Sequence, residues 1–277
     1  MGPLDAARRV YRAVGALRQR RELSRFQTAL RFDAGAPALL LSPHWDDAVL
    51  DCWSLLSGEE PLAVANLFAG SPPAGRLAGW DAITGARDSA ERTRERLAED
   101  ARAMALAGRR PVNLPLLDSQ YRLGRPVPRL AEIDGLLSRE VSAVSRIYAP
   151  AAIGGHADHE LTRRYALQLL AAGIPVELYA ELPYCVRHGW PHWVDGRPPH
   201  PNRDVDAYWS HFLGGLAEMP ALRDGKVLRL ADDTAAAKLA AMRCYESQLP
   251  ALDYAGRELL ADPELHGYEV RWELRRR

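Results

Sequence analysis

The sequence predicts one α/β domain built on a doubly wound, mainly parallel sheet that is flanked by helices. Short apolar segments alternate with longer amphipathic segments along the chain, a pattern typical of parallel βαβ units. Several of the apolar segments run directly into glycine or proline, as buried strands do at their ends. The 277 residues, of which 47% are hydrophobic, are enough to bury one large core. We therefore expect a single domain over 1–277.

The strands are predicted from short apolar runs that end at turn residues. They are Ala36–Leu41, Leu62–Phe68, Pro111–Leu117, Arg146–Ala152 and Val176–Leu182, with a C-terminal edge strand at Tyr268–Leu274. Most are rich in valine, leucine and alanine without alternation, which indicates strands that are buried on both faces.

The helices are predicted from apolar residues at helical spacing. They are Ala48–Leu56, Asp88–Leu106, Val127–Ser142, Glu160–Ala172 and Asp232–Gln248, preceded by an arginine-rich lead-in helix, Leu4–Arg25, within 1–30. In the second of these, Ala90, Leu97, Ala101 and Met104 mark one face, and Gly108 supplies the stop. Segment 183–210 is predicted to be a long loop near the functional site.

Charge and cysteine content limit the partners and the compartment. The 36 basic and 36 acidic side chains cancel, so no net field favours nucleic acid or a membrane surface, and a small-molecule partner is expected. Cys52, Cys185 and Cys244 are scattered and odd in number, which argues against disulfides and a thiolate metal site. With no signal-peptide core or membrane span in the sequence, we expect a cytoplasmic protein. Nothing in the sequence indicates the oligomeric state.

Two predicted strands end in clusters of histidine and aspartate. The first strand leads into PHWDD, which holds His44, Asp46 and Asp47, and the fourth leads into GGHADHE, which holds His156 and His159. Parallel strands present their carboxyl ends at one edge of the sheet, where ligands bind. Imidazole and carboxylate without thiolate suit catalytic zinc, in which three protein ligands leave a position for water. The alternative is structural: aspartates that follow a strand often only cap the next helix.

The two clusters resemble the paired motifs of a known enzyme family. PHWDDAVL is similar to PHPDDEVL, and GGHADHELTR contains a counterpart of HPDH, the two motifs of the PIG-L or LmbE-like zinc-dependent N-deacetylases. RLAED, LPLLDSQYR, YAELPY and KLAAMRCYESQ also resemble stretches of one branch. The resemblance implies a Rossmann-like sheet and a zinc site formed by His44, Asp47 and His159, although another divalent metal is not excluded by the ligand types.

The resemblance also implies the catalytic roles. Asp46 would be the general base, and His156 an electrophile or acid with Asp158 behind it to hold the imidazolium. Zinc lowers the pKa of a bound water to about 7, and a carboxylate beside the metal can accept the water proton. A protonated His156 would stabilise the negative charge that develops on the amide oxygen.

The chain departs from the family pattern at three positions. Trp45 replaces a proline, Ala48 replaces a glutamate, and Gly154 stands where some members have a tyrosine. None of them is a predicted metal ligand, so they bear on the loop and the acceptor pocket. Trp45 either forms a wall for substrate or packs in the core.

Three further residues are candidates for substrate binding. Arg96, in RTRERLAED, either points toward substrate or belongs with Glu99 to a solvated ion-pair face, and the helical pattern favours the solvated face. Tyr121 and Arg122 follow a strand and a short loop, where they would bind a hydroxyl or phosphate group.

The sequence therefore supports three hypotheses. The first is a zinc hydrolase that removes an N-acyl group, acetyl in the first instance, from an amino sugar or glycoside. The second keeps this chemistry for a thiol-conjugate or natural-product amide. The third is a non-catalytic nucleotide-binding or scaffold protein, against which the first strand lacks a GxGxxG phosphate loop.

Overall fold

The computed structural model describes residues 31–32, 37–124, 126–137, 141, 143–252 and 262–276. Strands within these ranges form one two-stranded and one seven-stranded sheet. The small sheet pairs β1 (Arg31–Phe32) with β5 (Ala143–Val144) in parallel. The predicted helix Leu4–Arg25 lies outside the described residues.

The large sheet has the predicted α/β topology. Its strands are β2 (Ala38–Ser42), β3 (Leu62–Asn66), β4 (Val112–Asn113), β6 (Ile147–Pro150), β7 (Val176–Tyr179), β8 (Lys226–Arg229) and β9 (Tyr268–Glu273). They are ordered β4-β3-β2-β6-β7-β9-β8, with the first five parallel and β9 antiparallel to both neighbours. The doubly wound, mainly parallel sheet is confirmed.

The helices alternate with the parallel strands. They are α1 (Asp47–Asp51), α2 (Trp53–Leu56), α3 (Gly79–Ile83), α4 (Ser89–Leu106), α5 (Leu130–Leu137), α6 (Ala157–Ala171), α7 (His192–Asp195), α8 (Val205–Leu213), α9 (Asp232–Met242), α10 (Leu249–Leu252) and α11 (Pro263–His266). The predicted helix 48–56 is two helices, because the backbone of Cys52 leaves the helical region at φ −134° and ψ 32°. Within the described ranges, no helix is both long and apolar enough to cross a membrane.

The centre of the large sheet forms the core. Leu39, Leu40 and Leu41 of β2 are fully buried, as expected for a parallel strand with neighbours on both sides. Helix α6 packs on β6 and β7, and α9 packs on α4 and α1. Burying a leucine side chain contributes about 2 kcal/mol, so this strand contributes several kcal/mol to folding.

The order of the strands reverses between β2 and β6. From β2 the chain builds outward through β3 to β4, and then returns to place β6 on the other side of β2. Ligands bind at such a switch point because the loops that leave the two strands diverge there. PHWDD follows β2 and GGHADHE follows β6, so both clusters lie at this crevice.

Two predicted features are wrong and one strand was missed. The strand 268–274 is not at the sheet edge, because β8 pairs outside it. β8 was missed because only its two central residues, Val227 and Leu228, are apolar, too few for a periodic signal. The predicted loop 183–210 contains α7 and the start of α8, where Asp204 caps the helix by accepting from the Ala207 N–H.

Helix α4 is present as predicted, but its buried face is partly polar. Leu97 is 43% exposed, whereas Arg96, Glu99 and Asp100 are each at most 5% exposed. Arg96 and Glu99 therefore do not form a solvated face. This helix brings charged side chains under the loop that follows β2.

Candidate metal and catalytic site

The side chains of His44, Asp47 and His159 converge on one point. The Nδ1 atom of His44 lies 3.2 Å from Oδ2 of Asp47, and Nε2 of His159 lies 3.4 Å from the same oxygen. The backbone N–H of His44 also donates to this oxygen at 2.7 Å, which fixes the carboxylate against its own loop. The two ring centroids are 5.3 Å apart. Both predicted histidine ligands thus lie within 3.4 Å of the same oxygen of Asp47.

A buried carboxylate stands behind each of the two histidines. Oδ2 of Asp158 lies 3.2 Å from Nε2 of His44, and Oε1 of Glu181 lies 3.2 Å from Nδ1 of His159. A ring N–H that donates to a carboxylate leaves the other nitrogen with a lone pair for a metal. Nε2 of His159 is buried and has no hydrogen-bond partner within the described chain. An imidazole nitrogen left in this way fits a metal ligand.

The charges at this point favour a cation. Burial lowers the pKa of His44, but Asp118, Asp158 and Asp47 outweigh it and raise the pKa well above 6.5. Burial likewise lowers the pKa of His159, and Asp47 and Glu181 reverse the effect. The surrounding carboxylates thus favour the protonated forms of both imidazoles, and a metal ion would displace these protons.

Asp47 itself responds in the opposite direction. Burial alone would raise its pKa, but the adjacent His159 and His44 lower it far below 3.8. Asp47 is therefore ionised across the physiological range, as a metal ligand must be.

His156 also brings a ring nitrogen within 4.8 Å of ligand atoms of His44 and His159. Its Nδ1 accepts from the backbone N–H of Asp158 at 3.3 Å, so its proton is on Nε2. Nε2 of His156 can therefore donate a hydrogen bond. Both His156 and Asp47 thus lie beside the pair His44 and His159.

The predicted charge state of His156 and its partner need correction. Burial and the two neighbouring histidines lower the pKa of His156 to about 4, so at neutral pH it is a neutral donor and not the expected imidazolium. The Asp158 carboxylate does not hold this ring. It instead accepts from Nη2 of Arg122 at 2.5 Å and from the Ser119 N–H at 2.8 Å, besides its contact with His44.

Asp46 has the surroundings of a general base. It takes the N-cap position of α1, but its side chain makes no capping hydrogen bond, so the structural alternative fails here. Burial raises its pKa, and Arg96, 3.4 Å from Oδ1, opposes the rise. A carboxylate with a raised pKa accepts a proton more readily at neutral pH.

These groups open into one cavity of about 250 Å³. Its lining combines the site with polar and apolar side chains of five further segments: His44, Asp46, Asp47, Leu50, Trp80, Arg96, Asp118, Ser119, Gln120, His156, Leu182, Tyr184, Gln248 and Leu252. Such a mixture is typical of a pocket that binds a small polar ligand.

The three candidates for substrate binding have different outcomes. Arg96 lines the cavity, with its guanidinium 4.9 Å above the ring of Trp45. Tyr121 donates its hydroxyl to Asp81 at 2.8 Å, and Arg122 is occupied by Asp158. Neither Tyr121 nor Arg122 is among the cavity residues, so both support the walls of the site from behind.

The family departures concern packing. Trp45 is 1% exposed and donates from Nε1 to Oδ1 of Asn113 at 3.1 Å, so it packs and does not form a wall. Gly154 has φ +96°, and a Cβ there would lie 2.8 Å from Cβ of Tyr184. Tyr184 therefore occupies the space beside His156 that a larger residue at 154 would need.

The sequence analysis did not single out Glu181 or Asp118. Glu181 follows β7, the strand next to β6, and Asp118 lies 3.8 Å from Nε2 of His44. Asp118 follows the predicted strand Pro111–Leu117, which is the same signal that identified Asp46 and Asp47, whereas Glu181 lies within the predicted strand Val176–Leu182. Neither comes with a nearby histidine in sequence, so the signal was weaker.

The fold and the site define an α/β protein with a cluster of histidines and aspartates, suited to a metal ion, at the switch point between β2 and β6. No protein-family model matches the sequence. The chain is 33% identical over 162 residues to a 2'-N-acetylparomamine deacetylase of Streptomyces fradiae. The match spans 53% of this chain and 57% of that relative.

Solved structures of deacetylases share the fold. A triple mutant of a deacetylase of the teicoplanin biosynthetic pathway matches 87% of this chain and 98% of its own, at 25% identity and a TM-score of 0.65. The A40926 pseudoaglycone deacetylase matches 88% of this chain and 98% of its own, at 24% identity and a TM-score of 0.62. The mostly parallel sheet is thus that of known deacetylases.

Proposed function

We propose that the protein is a metal-dependent N-deacetylase that hydrolyses the N-acetyl group of an amino sugar or glycoside. The observation that carries this proposal is the pair of histidines that meet one oxygen of Asp47, each with its second nitrogen on a buried carboxylate. The deacetylase relatives support the reaction, and the polar side chains in the cavity lining, among them Ser119, Gln120 and Gln248, support a sugar.

His44, Asp47 and His159 would hold the ion, and their donor types fit zinc. When bound, zinc supplies Lewis acidity and a water of lowered pKa. The buried nitrogen of His159 that lacks a hydrogen bond supports this fit. Asp158 and Glu181 would fix the orientation of the two imidazole rings.

Asp46 and His156 would carry the proton transfers. Asp46 takes a proton from the attacking water while the water oxygen bonds to the amide carbon. The neutral His156 donates a hydrogen bond from Nε2 to the oxygen on which negative charge develops. The C–N bond then breaks, and Asp46 returns the proton to the amine. The products are acetate and the free amino sugar.

The cavity supports a small acyl group. Its volume of about 250 Å³ would have to hold both the reacting amide and part of the ring that bears it. The 2'-N-acetylparomamine deacetylase and the deacetylase of the teicoplanin biosynthetic pathway support an amino sugar within a natural product. The alternative, an amidase of a thiol conjugate or another natural-product amide, uses the same residues and differs only in the acceptor.

The test is release of free amine from a panel of substrates with the zinc-loaded protein. The panel holds N-acetylglucosamine, an N-acetylated aminoglycoside, an N-acetylated glycopeptide and a thiol-conjugate amide. His44→Ala should lose both zinc and turnover. Glu132→Gln, an exposed change on α5, is the control and should match the wild type. No amine from any substrate, or full turnover by His44→Ala, would refute the proposal.

A further inference from the structure

A buried hydrogen-bond relay lies beneath the loop that joins His44 to Asp46. The hydroxyl of Tyr245 lies 3.0 Å from the backbone carbonyl of Trp45 and 2.9 Å from Oδ1 of Asp100. Tyr245 and Asp100 are each 1% exposed, so water does not compete at either contact. The main chain of Trp45 links this relay to the candidate base, Asp46.

If Asp100 is ionised, the relay has one hydrogen for two acceptors. The Tyr245 hydroxyl has a single hydrogen, and burial raises the pKa of Tyr245 well above 10, so it keeps that hydrogen. Two acceptors, the Trp45 carbonyl and the Asp100 carboxylate, then compete for it. A buried acceptor that loses such a competition costs about 1 to 3 kcal/mol.

A neutral Asp100 satisfies every atom. Its Oδ1–H donates to the Tyr245 oxygen, Tyr245 donates to the Trp45 carbonyl, and Oδ2 accepts from Nδ2 of Asn66 at 2.9 Å. Asn113 completes the arrangement, because its Oδ1 accepts from Asn66 at 2.9 Å and from the Trp45 ring at 3.1 Å. Trp45 is thereby held at both its carbonyl and its indole.

We propose that Asp100 is a positioning residue that, as a neutral carboxylic acid, orders Tyr245 and so fixes the Trp45 main chain between the metal ligand His44 and the base Asp46. This role rests on the proposed function for its catalytic consequence. It involves no contact of Asp100 with substrate or metal.

The electrostatic surroundings agree with the neutral form. Burial is the largest influence and raises the pKa of Asp100 to about 7, against the hydrogen bonds from Tyr245 and Asn66. Asp46 adds to the rise and Arg96 opposes it.

Two more cations border Asp100, from the turn after α4. Arg109 and Arg110 line the outer groove that Asp100 also borders. Arg109 donates to the carbonyls of Leu56 and Gly58, at 2.8 and 2.6 Å, which directs its guanidinium to the backbone. Arg109 is therefore paired with backbone carbonyls.

Asp100→Asn tests the idea, because an amide can donate to Tyr245 and accept from Asn66 at every pH. At pH 6 its kcat/KM should lie within about twofold of the wild type, whereas Asp100→Leu and Tyr245→Phe should each lose ~10- to 100-fold, the effect of a small misplacement of reacting groups. The double variant Asp100→Leu/Tyr245→Phe should be no worse than either alone, since both break one relay. An Asp100→Asn enzyme as poor as Asp100→Leu would overturn the proposal.

Urea unfolding supplies a readout that needs no substrate. The native state keeps a proton on Asp100 that the unfolded chain releases near pH 3.8. The free energy of unfolding of the wild type should therefore fall as the pH rises from this value to about 7, and then level off. Asp100→Asn should lack this component, so its urea midpoint should rise relative to the wild type from about pH 5 to pH 8. Parallel curves would refute a neutral Asp100, and the expected divergence without any hydrolysis would refute the proposed function alone.

Discussion

Substitution of Glu181 by glutamine tests whether the carboxylate behind His159 prepares this imidazole for a metal. Glu181 accepts from Nδ1 of His159 at 3.2 Å and from the backbone N–H groups of Ala152 and Ile153 at 2.5 and 3.3 Å. A glutamine keeps the size but lacks the charge, and its NH₂ group cannot accept from the backbone or from His159.

The expected loss of zinc affinity follows from the role of Glu181 in orienting His159 and from its burial. Changes to a group that orients a metal-binding histidine typically lower metal affinity by about 10- to 100-fold. At 1.4 kcal/mol per tenfold change, Glu181→Gln should weaken zinc binding by roughly 1.4 to 2.7 kcal/mol. The upper part of this range is expected, because Glu181 is fully buried and water cannot replace the lost acceptor.

The measurement is a competition for zinc against a chromophoric chelator at neutral pH. Glu177→Gln on β7, the strand that precedes Glu181, is the control, since Glu177 pairs with Arg146 and not with a histidine. Ala152 has φ +58° and depends on Glu181 for its N–H partner, so the Tm of each metal-free variant must be compared as well. Equal zinc affinities for wild type and Glu181→Gln, or an equal loss in Glu177→Gln, would refute the reasoning.

Three further outcomes are expected. Asp46→Asn should keep zinc in a metal analysis but lose ~100- to 10,000-fold in kcat, and retained turnover would remove Asp46 as the base. Zinc affinity should increase as pH rises, because His44 and His159 have raised pKa values and must release protons to bind; calorimetry in two buffers of different ionisation enthalpy should detect this release, and its absence would contradict the assigned ligands. Arg122→Leu leaves Asp158 as a buried charge without its guanidinium partner, so urea unfolding should show a loss of about 3 to 5 kcal/mol, and a loss under 1 kcal/mol would show that the pair is unimportant.

The sequence predicts the sheet better than the ends of its elements. Strands β2, β6 and β7 are apolar runs bounded by proline or glycine, a signal that needs no tertiary information. Strand β8 pairs only with β9, and its two apolar residues carry no pattern of their own. Helix α4 was placed correctly, but its buried face was not, because a periodicity rule assumes that buried residues are apolar. Arg96 and Asp100 are buried by partners that are distant in sequence.

The same distinction separates the two parts of the candidate site. His44, Asp47 and His159 follow strand ends, so topology alone brings them together at the switch point. Glu181 contacts His159, which is 22 positions away in the sequence, and Tyr245 contacts Trp45, which is 200 positions away. A single sequence does not reveal such pairs. The charge state of His156 also depends on neighbours that only the fold assembles.

The reversal of strand order gives a bound ion a mechanical role. His44 and Asp47 follow β2, which begins one wing of the sheet, whereas His159 follows β6, which begins the other. An ion bound by all three residues would link the segment after β2 to the segment after β6, as a disulfide links two segments that are distant in sequence. Removal of the ion by a chelator would then let the two halves of the sheet separate more readily. The rate of cleavage by a protease should therefore report metal occupancy.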